Sequence, residues 1–141
     1  MIIRSFQLSD YAAINQLLED VLCDSCYEET KRAFSRQLKW DSDLVLVATV
    51  DDVVAGVIIG TIDKNKAYYY RVAVDRKYQR QGIGLTLVGA LKQRFVQRKV
   101  MKIMVAADRH DNEFLPLFQS AGFNPSDFFH KLGQLSIVAQ G

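Results

Sequence analysis

Residues Ala73–Gly84 read AVDRKYQRQGIG. A Val-rich strand runs out at Val74, a basic loop follows, and Gly82 and Gly84 stand one residue apart where the next apolar run opens. Each glycine in a first helical turn costs about 1 kcal/mol relative to alanine, so a pair there asks for a purpose. One such purpose is close approach of backbone N–H groups to an anion, with the positive end of the helix dipole behind them. Three phosphate-binding patterns compete. A dinucleotide fingerprint needs a third glycine where Leu87 stands and glycines directly after the strand, whereas Gly82 lies eight residues beyond Val74. A P-loop needs Lys and then Ser or Thr after its glycine, and this chain has Leu85 and Thr86. The third pattern is Gln/Arg-x-x-Gly-x-Gly/Ala behind a strand ending Val-x-Val. Val72-Ala73-Val74 and Gln79-Arg80-Gln81-Gly82-Ile83-Gly84 meet it in full.

Outward from this stretch the elements alternate. Gly82 to Arg98 has the clearest helical pattern, with Leu87, Val88, Leu91 and Phe95 in one apolar stripe. Before it, Leu44–Val50, Val53–Ile62 and Lys66–Val74 read as a strand meander with a hairpin at Asp51-Asp52, and strict alternation puts Tyr68, Tyr70, Val72 and Val74 on one face. Earlier still come a strand, Ile2–Phe6, a helix capped by Ser9 with Ala13, Ile14, Leu17, Leu18, Val21 and Leu22 at helical spacing, and a second helix, Glu28–Lys39. After it come a strand, Met101–Ala106, and a helix, Asn112–Ala121, closed by Gly122. One or two further strands follow. The order β-α-α-β-β-β-α-β-α-β(β) predicts an α/β fold, a mixed and mostly antiparallel sheet with helices on both faces.

The chain's 141 residues fit one domain spanning 1–141, and 49% hydrophobic with 24% charged residues suits a globular protein. A net charge of +2 does not argue for nucleic acid as a partner. No apolar run reaches the roughly 18 residues of a membrane span, and the N-terminus does not read as a signal peptide, so a cytoplasmic location is expected. The two cysteines, Cys23 and Cys26, fall late in the first helical pattern among Asp20, Asp24, Glu28 and Glu29, whose charges disfavour a thiolate. A zinc site would have to recruit His110 and His130 from far along the chain, so no metal is expected.

On these motifs the sequence resembles the GCN5-related N-acetyltransferases. IIRSFQLSDYAAINQLL is similar to the family's opening strand and helix, VATVDDVVAGVIIGTI to its central hairpin, YRVAVDRKYQRQGIGLTLVGAL to its cofactor motif and DNEFLPLFQSAGF to its later helix and Gly-Phe ending. The resemblance implies acetyl-coenzyme A as acyl donor. Its pyrophosphate would meet backbone N–H groups of Gln79, Arg80, Gln81, Gly82, Ile83 and Gly84, with the Thr86 hydroxyl beside them. Its pantetheine arm would lie along Val72, Ala73 and Val74 as an added strand. A backbone N–H at Val74 would face the thioester oxygen as an oxyanion donor. Tyr68 falls where some members carry a catalytic glutamate. Asp111 and Asn112 fall at the family's pantetheine-contacting asparagine. Phe118 replaces the tyrosine that protonates the leaving thiolate, so either the thiolate leaves unassisted or another group such as Tyr70 or a water serves. The implied reaction is direct attack of a primary amine, on a small molecule or a protein, in a ternary complex. The alternative is a non-catalytic acyl-coenzyme A sensor with the same fold. A homodimer is compatible with either.

Overall fold

Asp51 and Asp52 have φ values of 51° and 66°, the left-handed pair that a two-residue hairpin needs, and they join β2 (Val45–Val50) to β3 (Val53–Asp63). Lys64, at φ 61°, turns β3 into β4 (Lys66–Val74), and β1 (Ile2–Ser5) pairs antiparallel with β2. The computed structural model describes residues 1–106, 115–122 and 128–129. Within them β5 (Lys102–Ala106) and β6 (Phe128–Phe129) add parallel to β4, giving six strands in the order β1-β2-β3-β4-β5-β6. The mixed sheet expected from the sequence is present.

Helices cover both faces. On one lie α1 (Tyr11–Val21) and α2 (Asp24–Asp41), whose Ile14, Leu18, Ala33 and Phe34 pack on Val47, Ile59 and Tyr68. On the other lie α3 (Ile83–Gln97) and α4 (Leu115–Ser120); Leu87, Leu91 and Phe95 of α3 pack on Ile58, Tyr69 and Val72. The stripe expected on α3 is buried in full, and that on α1 holds for Ile14, Leu17 and Leu18, whereas Ala13 is exposed and Leu22 lies beyond the helix end. The fully buried positions follow the 3.6-residue stripe.

Three expectations are corrected. Ser9 does not cap α1; the chain enters through a turn at Leu8–Asp10, where the Asp10 carboxylate accepts from Gln7 N at 2.8 Å. The first and second helices do not meet as a continuous pattern with Cys23 late in it. α1 stops at Val21, Leu22 is extended, and Cys23 is the N-cap of α2, which therefore starts at Asp24 rather than Glu28. The run Tyr68, Tyr70, Val72, Val74 does not share a face. Ile59 pairs with Arg71 and Gly60 with Tyr69, so Tyr70 is the extra residue of a β-bulge. Tyr68 and Tyr70 consequently face α1 and α2, while Val72 and Val74 face α3. The helix expected over Asn112–Ala121 is present over Leu115–Ser120, with Gly122 at φ 96° after it; its expected start at Asn112 lies outside the described residues.

The entrance to α1 has a pH consequence. Arg4 donates to both oxygens of Asp10, at 2.7 and 2.9 Å, and this pairing, helped by Gln7 N, holds the Asp10 carboxyl below the usual carboxylate range. Arg98 does the same for Asp41 at 2.6 Å, joining the ends of α3 and α2. A carboxyl with a depressed folded-state pKa contributes stability above its unfolded value of about 3.9 and loses it as pH falls through the folded value. Asp10→Asn should therefore cost about 1–3 kcal/mol at neutral pH, and the gap should close as pH drops below about 4. Urea midpoints measured for both proteins at neutral and acid pH check this; a gap independent of pH would show that charge is not its source.

Candidate functional site

The loop after β4 is assembled by local bonds. Asp75 N donates to the carbonyl of Ala55 at 2.8 Å, and the Asp75 carboxylate caps the turn Arg76–Tyr78 by accepting from Lys77 N at 2.9 Å. Gln79 Nε2 reaches back to the Val74 carbonyl at 3.0 Å, clamping the loop to the strand end. Arg80 at φ 65° and Gly82 at φ 81° are both left-handed. Gly82 is the N-cap of α3 and has no capping side chain. Arg80 bears its conformation at a cost; glycine at position 82 adopts it freely.

The first bond of α3 runs from Thr86 N to Gly82 O at 3.0 Å, which leaves the N–H groups of Ile83, Gly84 and Leu85 without an intrahelical acceptor. These donors border a cavity of about 400 Å³ lined by Val74, Gln79, Arg80, Gly82 and Gly84, with Val21 and Leu117 on its far sides. A Cβ built on Gly82 would meet nothing within 4 Å, whereas one on Gly84 would come within 3.1 Å of Leu117. The two glycines thus differ in purpose. Gly82 supplies a backbone conformation at an open cradle; Gly84 lets α4 pack against the start of α3.

Along β4 the ladder to β5 is registered only from Lys66–Lys102 to Tyr69–Val105. Among the described residues, Arg71 to Val74 pair with β3 alone, and the bulge residue Tyr70 is registered with neither strand. One edge of Val72-Ala73-Val74 therefore has no ladder partner among the described residues, and Val74 also lines the cavity.

The predicted site residues separate into groups. Val74, Gln79, Arg80, Gly82, Ile83 and Gly84 line one cavity, with Gln81 exposed in the same loop and Val72 and Ala73 on the adjoining strand. Thr86 donates its hydroxyl proton to Gly82 O at 2.8 Å, so it acts as a second cap on the helix start rather than a donor held ready for an anion. Phe118 turns away from the cavity. It is 5% exposed, its ring centroid 5.4 Å from that of Tyr69 in the α3-side core. Asp111 and Asn112 lie outside the described residues.

Tyr68 and Tyr70 sit on the opposite face of the sheet, under α1 and α2. Burial, with Asp63 nearby, raises the Tyr68 phenol above its ordinary range. Burial pushes Tyr70 up to about 12, offset in part by Arg71. Both stay protonated at neutral pH and can donate, not abstract. The Tyr70 hydroxyl is buried and completes no well-formed hydrogen bond among the described residues, although the Arg71 and Thr30 side chains lie close enough to favour its charged form.

Sequence reading missed what surrounds Tyr70. The bulge turns Arg71 inward, where it is 2% exposed, gives Nε to Thr30 Oγ1 at 3.1 Å and sets its guanidinium carbon 5.2 Å from the Tyr70 ring centroid. Glu29 on α2 is close enough to act on the Tyr70 phenol. No residue type in YYYRV marks the bulge; a buried arginine in an otherwise apolar strand is the signal that was available. Arg76 donates to the Asp20 carbonyl at 3.0 Å and ties the end of α1 to this loop. Among the described residues no helix is long and apolar enough to cross a membrane, and no three His, Cys, Asp or Glu side chains cluster as metal ligands do.

The sequence profile of the Acetyltransferase (GNAT) family matches residues 14–123. An acetyltransferase of Pectobacterium atrosepticum is 30% identical over 115 residues, covering 80% of this chain and 79% of its own. An acetyltransferase of Yersinia enterocolitica is 25% identical over 142 residues, covering 99% of both. Among solved structures, Ard1 from Thermoplasma volcanium superposes with a TM-score of 0.72 at 19% identity, over 87% of this chain and 82% of that one. The PaiA N-acetyltransferase of Thermoplasma acidophilum, solved with coenzyme A, superposes with a TM-score of 0.70 at 18% identity, over 87% and 89%.

Proposed function

The chain belongs to the acetyltransferase (GNAT) family, and on that premise we propose that it transfers the acetyl group of acetyl-coenzyme A directly to a primary amine. The observation that carries this reading is the continuity of two donor sets. The edge of β4 that has no ladder partner among the described residues ends at Val74, and Val74 lines the cavity bordered by the N–H groups at the start of α3 that have no intrahelical acceptor. A diphosphate wants converging donors in a positive field, and a chain of amides wants an unpaired strand edge. Both occur here, in the order that coenzyme A presents them. The cofactor supplies an activated thioester.

This chain's residues hold and polarise it. Gln79 to Gly84 grip the pyrophosphate, Val72 to Val74 align the pantetheine arm, and a backbone N–H at Val74 faces the thioester oxygen. Tyr70 is the first residue past the last β4–β5 pair, and its hydroxyl donates toward the negative charge that develops there. Tyr68 lies on the same face and borders the amine's approach. Neither tyrosine removes the amine's proton, because both phenols are raised. An alkyl ammonium of pKa about 10 therefore loses its proton to solvent or through a water. Asp20, Asp24, Glu28 and Glu29 stand at the corner between α1 and α2 and favour a cationic acceptor.

Incubation with acetyl-coenzyme A and a panel of primary amines, followed by free-thiol release and the acceptor's mass, tests the proposal. Thiol release matched by acetylated amine is the expected result. Calorimetric binding of coenzyme A with no turnover across the panel would support the sensor reading instead. Failure to bind coenzyme A at all would overturn both.

A further inference from the structure

Cys23 and Cys26 are not used by the chemistry above, and their placement differs from that of two ordinary core cysteines. Leu22 breaks the helical path with ψ 153°, and Cys23, with ψ 162°, starts α2 as its N-cap. Its carbonyl accepts the first bond of α2, from Tyr27 N at 2.8 Å, and its sulfur accepts from Cys26 N at 3.4 Å. A thiol thus occupies the place where serine or aspartate usually caps a helix. The two residues are unequal: Cys23 is exposed, while Cys26 is 2% exposed on the inner side of the first turn. We propose that Cys23 and Cys26 form a dithiol–disulfide couple that exchanges with low-molecular-weight disulfides, Cys23 as the attacking thiol and Cys26 as the resolving one.

Hydrogen bonds to Cys23 from the Ser25 hydroxyl, the Cys26 N–H and the Cys26 thiol lower its pKa. An N-cap sulfur on an 18-residue helix also meets the positive end of the dipole. The acidic side chains nearby, Asp24 and Glu28, do not reverse this. Their carboxylates are separate exposed groups, while the helix start donates to the sulfur itself.

In the first step the Cys23 thiolate attacks one sulfur of the external disulfide. A Cys23 mixed disulfide forms, the external S–S bond breaks, and one thiolate leaves with the electron pair and takes a proton. In the second, the Cys26 thiolate attacks Cys23 Sγ and expels the second external thiolate. The two protein thiols lose two electrons between them, and the external disulfide gains them as two thiols. Position brings Cys26 within reach: its own N–H and thiol already contact Cys23 Sγ.

Oxidised glutathione is the probe, and the intact mass of the protein is the readout. Wild type is expected to lose two hydrogens and retain no glutathione. Cys26→Ser should stop as a one-glutathione adduct on Cys23. Cys23→Ser, which keeps a good helix cap, should react at least about tenfold more slowly, since only the buried thiol remains. Wild type that accumulates a stable glutathione adduct, or Cys23→Ser reacting as fast as wild type, overturns the assignment. Both readings are independent of coenzyme A binding and of turnover.

Discussion

Gly82→Glu is expected to weaken coenzyme A binding by about a hundredfold or more while leaving the protein folded. Two physical effects act together. Position 82 has φ 81°, so any side chain there is strained, at a cost of about 1–2 kcal/mol. The larger effect is electrostatic. A carboxylate about 5 Å from one phosphate charge costs about 3 kcal/mol at an effective dielectric of about 20, and the pyrophosphate carries more than one charge. Nothing within 4 Å of the added Cβ clashes, so the fold tolerates the substitution. Gly82→Asn separates the two effects, because asparagine visits the left-handed region and carries no charge; its loss should stay below about tenfold. Calorimetric titration with coenzyme A, beside a thermal melt, reads both. A folded Gly82→Glu protein that binds like wild type would remove the pyrophosphate from this loop.

How much of this was legible depended on whether a residue's role is local. The Asp51-Asp52 hairpin, the stripe of α3 and the Gln79–Gly84 loop follow from spacing and turn chemistry, and the structure has them where the sequence puts them. Gly84 lines the cavity as the sequence suggests, but its second neighbour, Leu117, 33 residues on, is not marked in the sequence. Phe118 was aligned to a cofactor position, yet its neighbour Leu117 borders the cavity while Phe118 packs on Tyr69. A helix turns about 100° per residue, so adjacent positions can exchange roles with a small rotation that no single sequence records. The break at Leu22-Cys23 escaped because apolar spacing continues through it and cysteine is not among the usual caps. The Tyr70 bulge escaped for a deeper reason. A single extra residue inverts every side chain beyond it, and three consecutive tyrosines fit either face.

That bulge sets the second large expected effect, from Tyr70→Phe. Turnover should fall about a hundredfold, coenzyme A affinity should hold within about twofold, and the thermal midpoint should rise or stay level. The combination is the test. Tyr70 is 2% exposed and its hydroxyl completes no well-formed hydrogen bond among the described residues, with Arg71 and Thr30 as its neighbouring polar side chains. Such a group costs the folded protein about 1–3 kcal/mol in lost solvation, which phenylalanine would relieve. If Tyr70 only filled the core, its hydroxyl would be a cost with no return, and Tyr70→Phe would leave turnover unchanged. A pKa of about 12 also fixes the form of its contribution. It cannot surrender its proton outright to a thiolate whose conjugate acid has a pKa of about 8.5, because the transfer runs uphill by several kcal/mol. It can hold that proton on charge as the charge develops. The hydroxyl stays protonated until pH approaches 12, so the rise of kcat with pH should keep its position in Tyr70→Phe, reporting the amine, with only its height lowered. A rise that moves in the variant would mean that Tyr70 itself titrates in the catalytic range.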